Sequence, residues 1–363
     1  MHSLLLAENN FVYTNNNTYF TANTISGYSV GPSGAVTQLP NSPFSTGGTG
    51  NGANGYIATN RITACGKFLF ASNDYSGDVS GFSVNKKTGN LVAVPGSPFF
   101  AGGNSSDGIA VTVSPGCNFL FVANLDALEL FAFSIEANGS LVPVQGSPYS
   151  VRYGEPSTLA ITPDGSFLAV TFRSLPYVGM YSVGSGGVLT GVSGSPFPLS
   201  ESAGATGVMD FNCDASLLYV PELDDQVDVL SVAAGGVLSL IPGSPFGSPA
   251  ENYVSGLSRN GKFLFTSNGS SGLNSFKIGA NGALESITGS PFSADLSSSS
   301  GLSLSRAGTL VYVSDFLYNE FSVMTIGHGG TLQLAAGSPI STGQSGGLFS
   351  LAAYPPTPRK TCE

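Results

Sequence analysis

A four-residue phrase recurs seven times along this chain, and its spacing limits the fold more tightly than any other feature. The copies are Asn41-Ser-Pro-Phe44, Gly96-Ser-Pro-Phe99, Gly146-Ser-Pro-Tyr149, Gly194-Ser-Pro-Phe197, Gly243-Ser-Pro-Phe246, Gly289-Ser-Pro-Phe292 and Gly337-Ser-Pro-Ile340. Their prolines, at 43, 98, 148, 196, 245, 291 and 339, lie 55, 50, 48, 49, 46 and 48 residues apart. Such a period marks an array in which each unit hides its apolar face only against its neighbours. Because the repeat spans nearly the whole chain, residues 1–363 are read as one domain rather than the two or three that length alone suggests.

The third repeat shows the unit. Ile109-Ala-Val-Thr-Val-Ser-Pro115 alternates, Phe119-Leu-Phe-Val-Ala-Asn124 is a buried strand, and Leu128–Ile135 and Leu141–Gln145 follow across Gly, Asn and Pro turns. Four antiparallel strands per unit make one propeller blade, so the chain is expected to be an all-β, seven-bladed β-propeller. Charged residues at 9% and hydrophobic residues at 41%, with 49 Gly and 22 Pro, suit short strands and tight turns. The second-strand segment recurs as Phe68–Asn73, Phe167–Thr171, Leu217–Val220, Phe263–Asn268 and Leu310–Asp315. The first repeat begins with that segment, Phe11–Asn15, and lacks a convincing first strand before it, while the chain ends on a supernumerary one, Gly347–Tyr354. The C-terminal strand is therefore expected to close the N-terminal blade as a clasp, leaving 355–363 as a flexible tail. In the phrase itself, Pro suits an outer-edge strand because it offers no donor, Gly permits a bend, and the aromatic can wedge between blades.

Charge narrows the partners. With 22 acidic against 12 basic residues the net charge is −10, which opposes nucleic acid and anionic membrane surfaces. No segment approaches the ~18 apolar residues of a membrane span, and Leu4–Ala7 is too short for a signal-peptide core. A soluble monomer follows, cytoplasmic or exported with its leader removed. Cys65, Cys117 and Cys213 occupy similar turns in three repeats, and Cys362 lies in the tail; without CxxC or a nearby His they read as reduced structural cysteines, not zinc ligands. His2 and His328 are the only histidines, neither placed for a Ser-His-Asp or Cys-His unit.

Strand order sorts the connections onto two faces, with turns such as Thr162-Pro-Asp-Gly165 on one and the longer, variable loops on the other. The loop face is where a ligand pocket is expected. Polar residues there include Asp74, Asn124, Asn268 and Asp315. Glu222-Leu-Asp-Asp-Gln226 concentrates three carboxylates, Glu222, Asp224 and Asp225, in which like charge can raise one pKa. Arg152 and Arg173 stand out in a cation-poor chain as groups that can clamp an anion, with Glu155 between them in sequence. No metal or other cofactor is called for.

The recurring order, a Pro-Asp-Gly-like turn, Phe-Leu-Tyr/Phe-Val-x-Asn, Asn-Gly, then Gly-Ser-Pro-Phe, resembles the seven-bladed β-propeller lactonase family over residues 9–354. That family includes bacterial 6-phosphogluconolactonase and fungal carboxymuconate lactonizing enzymes, and is related to propellers with Tyr-Val-Thr-Asn repeats. The resemblance implies a lactone hydrolase, and Tyr219-Val-Pro-Glu-Leu223 looks like the family segment that carries a pocket Glu, so Glu222 is the residue carried over. Where the family places His or Arg-His before the fourth and fifth blades' first strands, this chain has Glu155-Pro-Ser-Thr158 and Thr206-Gly-Val208. Two functions follow. One is hydrolysis of a small sugar-derived lactone by Glu222 with Arg152 or Arg173 as anion clamp and Glu155, Asp224 and Asp225 beside the substrate. The other is a non-catalytic propeller that binds a saccharide, peptide or protein partner on its loop face.

Overall fold

The computed structural model describes residues 10–52, 60–105, 108–173, 175–200, 206–270 and 272–356. Leu4–Ala7, His2, Glu201, Cys362 and the tail from 357 onward lie outside the described residues. The chain forms a seven-bladed β-propeller of antiparallel sheets. In the third blade Ile109–Val113, Phe119–Asn124, Glu129–Ile135 and Leu141–Pro143 run in order from axis to rim. Apolar side chains on both faces of the inner strands explain why each sheet is covered twice, as between blades two and three, where Phe70, Val79, Val111 and Leu120 pack together.

Each phrase is a corner within the outermost strand rather than its end. Leu91–Ala93 and Phe99–Phe100, on either side of Gly96-Ser-Pro-Phe99, both pair with the third strand Asp78–Val84, and the other blades repeat this split. In the six Gly-bearing copies that glycine holds φ between 84° and 92°, a conformation other residues rarely adopt. The serine hydroxyl oxygen accepts a third-strand backbone N–H at 2.9–3.0 Å in all seven blades, through Ser42, Ser97, Ser147, Ser195, Ser244, Ser290 and Ser338. It satisfies a donor on the sheet edge where the chain turns away. The final aromatic or isoleucine packs into the apolar cluster between its blade and the next, as expected for a wedge.

The ring closes by the expected clasp. Ser350–Tyr354 pairs antiparallel with Asn10–Asn15 in the register Phe11↔Tyr354, Tyr13↔Ala352 and Asn15↔Ser350. The strand begins three residues later than Gly347, although Leu348 and Phe349 before it are already fully buried. The only helical segment among the described residues is the 3-10 turn His328–Gly330, and no helix is long and apolar enough to cross a membrane.

Candidate functional site

Seven innermost strands converge on the axis and leave a cavity of about 280 Å³ between them. Its wall mixes aliphatic residues such as Ile62 and Leu257 with Thr63, Thr112, Ser255 and Ser303. The cavity reaches the turn face at Pro163 and Arg259. At the loop end of the axis, Leu125 packs with Val208, Tyr253 and Val254 in an apolar cluster.

The loop face is built on two recurring polar positions. The first is the last residue of the second strand. Asn124 donates to the carbonyls of Ala101 and Gly103 at 2.9 and 3.0 Å, and Asp315 accepts from the amides of Ser298, Leu317 and Tyr318 at 2.8–3.0 Å. The second is the third residue of the third strand. Ser80, Asn274 and Ser322 donate to the carbonyls of Thr46, Ala250 and Ala294 in the preceding inter-blade loop. These side chains tie loops to sheets, so Asn124, Asn268 and Asp315, singled out as pocket candidates, serve the scaffold.

Blade five fills both positions with acids, Glu222 and Asp228. Asp228 is fully buried; its Oδ2 accepts the Ser200 amide at 2.7 Å and its Oδ1 the Ser244 hydroxyl at 2.8 Å. Glu222 is also fully buried, and its Oε1 accepts a long 3.5 Å contact from the Ser200 hydroxyl. Burial above all, then the adjacent Asp228 and Asp224 carboxyls, push the Glu222 pKa up to about 10. Two contacting carboxyls cannot both ionise in such a site, so Glu222 holds a proton at neutral pH.

The other expected residues are not gathered around it. Asp224 and Asp225 are exposed in the turn after Glu222; Asp224 still approaches the Glu222 carboxyl, while Asp225, at φ 64°, contributes a carbonyl that accepts from Ser248 at 2.7 Å. Arg152 is exposed on the loop before blade four. Arg173 faces Glu155 across 3.7 Å with both side chains partly solvated, an arrangement of small energetic weight. Among the described residues, neither arginine is ion-paired with Glu222.

Sequence reasoning missed two groups. Asp228 sits in a slot that other repeats fill with Ser26, Ser80, Asn274 or Ser322, and aligning third strands would have exposed it. Arg61, immediately before the first strand of blade two, is completely buried: Nη1 lies 2.6 Å from Asp74 Oδ2, and the guanidinium stands 4.0 Å over the Phe349 ring. Its one sequence signal is a scarce cation opening an innermost strand. Cys213, expected as a reduced thiol, is instead disulfide-bonded, whereas Cys65 and Cys117 are free. Linear spacing does not reveal that pairing, because a disulfide depends on which segments the fold brings together. Among the described residues no cluster of His, Cys, Asp and Glu could hold a metal ion.

No protein-family model matches this chain, and no curated protein matches its sequence. Solved structures do match. A candidate 6-phosphogluconolactonase of Bacteroides fragilis shares 18% identity over 96% of this chain and 99% of its own, with a TM-score of 0.73. A candidate 6-phosphogluconolactonase of Bacteroides uniformis shares 16% over 95% and 99%, at 0.74. The periplasmic gluconolactonase of Pseudomonas aeruginosa shares 20% over 92% and 97%, at 0.70. At these identities the likeness carries the fold, not the chemistry.

Proposed function

We propose that this propeller hydrolyses a small, sugar-derived lactone, with Glu222 as its proton donor. The observation that carries the reading is the buried acid pair of blade five, where Glu222 keeps its proton beside Asp228. Lactone opening transfers charge from an attacking water to the ring oxygen that leaves, and a neutral carboxyl is suited to protonate that oxygen. Asp224, whose carboxyl approaches Glu222, would accept the water's proton, so that one proton is taken and one given for each hydroxy acid released. Arg152, exposed on the neighbouring blade, would meet an anionic substituent, and the Arg173–Glu155 pair would flank it. Because Glu222 is fully buried, a substrate must displace the Ser200 hydroxyl to reach it; the 3.5 Å contact there is the weakest one on the pair. The gluconolactonase and candidate 6-phosphogluconolactonases of similar fold support this choice of substrate class.

The test is a panel of sugar lactones, with and without a phosphate, followed by acid release for wild type and Glu222→Gln. Glutamine keeps the shape and neutrality of Glu222 but gives up no proton, so the rate should fall roughly 10²-fold or more. Wild-type rates equal to buffer across the panel would overturn the reading.

The same substitution has a signed effect on stability. The unfolded Glu222 carboxyl ionises near 4.5, while the folded one holds its proton to about 10. Its contribution is complete below the lower value and is lost progressively as pH rises through that window. Wild type should therefore lose melting temperature relative to Glu222→Gln between pH 5 and 9; parallel melting curves would show that the acid pair is not protonated as described.

A further inference from the structure

We propose that Cys65 and Cys117 form a thiol–disulfide exchange site that staples blade two to blade three when a small-molecule disulfide is present. Cys65 ends the first strand of blade two, Ile62–Cys65, and is 4% exposed. Cys117 lies in the turn between the first two strands of blade three, half-buried, at φ 55°. Both sulfurs are free, and both belong to the apolar cluster that fills the space between these blades. They are close enough for the Cys65 thiol to hydrogen-bond to Cys117, and a Cβ built on Gly66 would lie 3.4 Å from the Cys117 sulfur.

The two thiols are chemically unequal, as an exchange site requires. The hydrogen bond from Cys65 lowers the Cys117 pKa below the usual thiol range, and Cys117 is the partly solvated member. The same bond, together with burial, pushes the Cys65 thiol up. Cys117 is thus the attacking sulfur and Cys65 the resolving one. With oxidised glutathione, the Cys117 thiolate attacks one sulfur, the glutathione S–S bond breaks, and the departing thiolate takes up a proton. Cys65 then loses its proton and attacks the Cys117 sulfur, forming the Cys65–Cys117 bond and releasing the second glutathione as a thiol. The protein is oxidised by two electrons and the glutathione disulfide is reduced by two.

The staple would act where the ring is closed. Tyr354 of the clasp donates its hydroxyl to the carbonyl of Gly66 at 3.1 Å, one residue from Cys65. A covalent link across this seam restrains blade two against blade three beneath the clasp, and cross-links that span long loops raise stability. The full-length chain incubated with excess oxidised glutathione should lose both alkylatable thiols and two hydrogens of mass. A peptide joining Cys65 to Cys117 should appear, and the melting temperature should rise by roughly 5 °C, reversed by dithiothreitol. Cys65→Ser should instead trap a lasting glutathione adduct on Cys117. In wild type, a lasting adduct on Cys117, two thiols that stay reduced, or a mapped cross-link with no change in melting would each overturn the proposal.

Discussion

A chain ending at Ser345 or earlier should fail to give soluble, folded protein, whereas one ending at Pro356 should fold. The segment between those ends contains Leu348, Phe349, Leu351 and Tyr354, which are between 0% and 4% exposed. Burying each contributes about 1.5–3 kcal/mol, so their loss removes on the order of 8 kcal/mol, comparable with the whole net stability of an ordinary domain. The same cut opens Asn10–Asn15 as an edge, since this strand otherwise pairs with Ser350–Tyr354 on one side and Tyr19–Val30 on the other. An unpaired inner strand in a ring invites association with another copy. Size-exclusion chromatography and far-ultraviolet circular dichroism of the two chains decide the matter; a monomeric shorter chain with unchanged melting temperature would show that the clasp does not hold the ring closed.

The clasp was readable because closure is a matter of strand phase. Once the seven phrases are aligned, Phe11–Asn15 falls on a second strand and Gly347–Tyr354 has no blade of its own, so only one pairing completes the ring. The role of each serine in the phrase was not readable, since it depends on a third-strand amide some 15 residues earlier that spacing alone does not connect. The site was less legible than the fold for a related reason. Asn124 and Asp315 look like pocket residues in a loop-face list, and only the contacts show that they fasten loops to sheets. Glu222 carries the same positional signal, and what sets it apart is Asp228, six residues later on the paired strand and aligned in the sheet with Val220. Leu125, an ordinary apolar residue after a second strand, belongs to a cluster with Val208, Tyr253 and Val254 that only the ring geometry assembles.

Arg61 is the residue whose replacement should cost most among single substitutions outside the clasp. Its guanidinium and the Asp74 carboxylate have both left water, and they repay that loss only together. Asp74 Oδ1 also accepts the Ile109 amide and the Ser72 hydroxyl, both at 3.1 Å, while the Arg61 backbone N–H donates to Ser350 Oγ at 3.0 Å. The pair therefore joins blade two, the first strand of blade three and the clasp at the loop end of the axis. Arg61→Leu leaves a buried carboxyl without its countercharge and should cost about 3–5 kcal/mol, a fall in melting temperature of roughly 4–7 °C. The double variant Arg61→Leu/Asp74→Leu should recover most of that loss, because two well-packed apolar groups leave no charge behind. Burial already raises the Asp74 pKa and Arg61 partly offsets it, so removing Arg61 raises it further. A carboxyl with a raised folded pKa contributes most below its unfolded value and loses that contribution as pH rises. The penalty of the single variant should accordingly shrink as pH falls toward about 4, opposite to the acid sensitivity of a simple surface ion pair. Melting curves of the two variants and wild type across that range test the argument: a double variant no more stable than Arg61→Leu, or a penalty that grows in acid, would mean that the buried charge of Asp74 is not what Arg61 compensates.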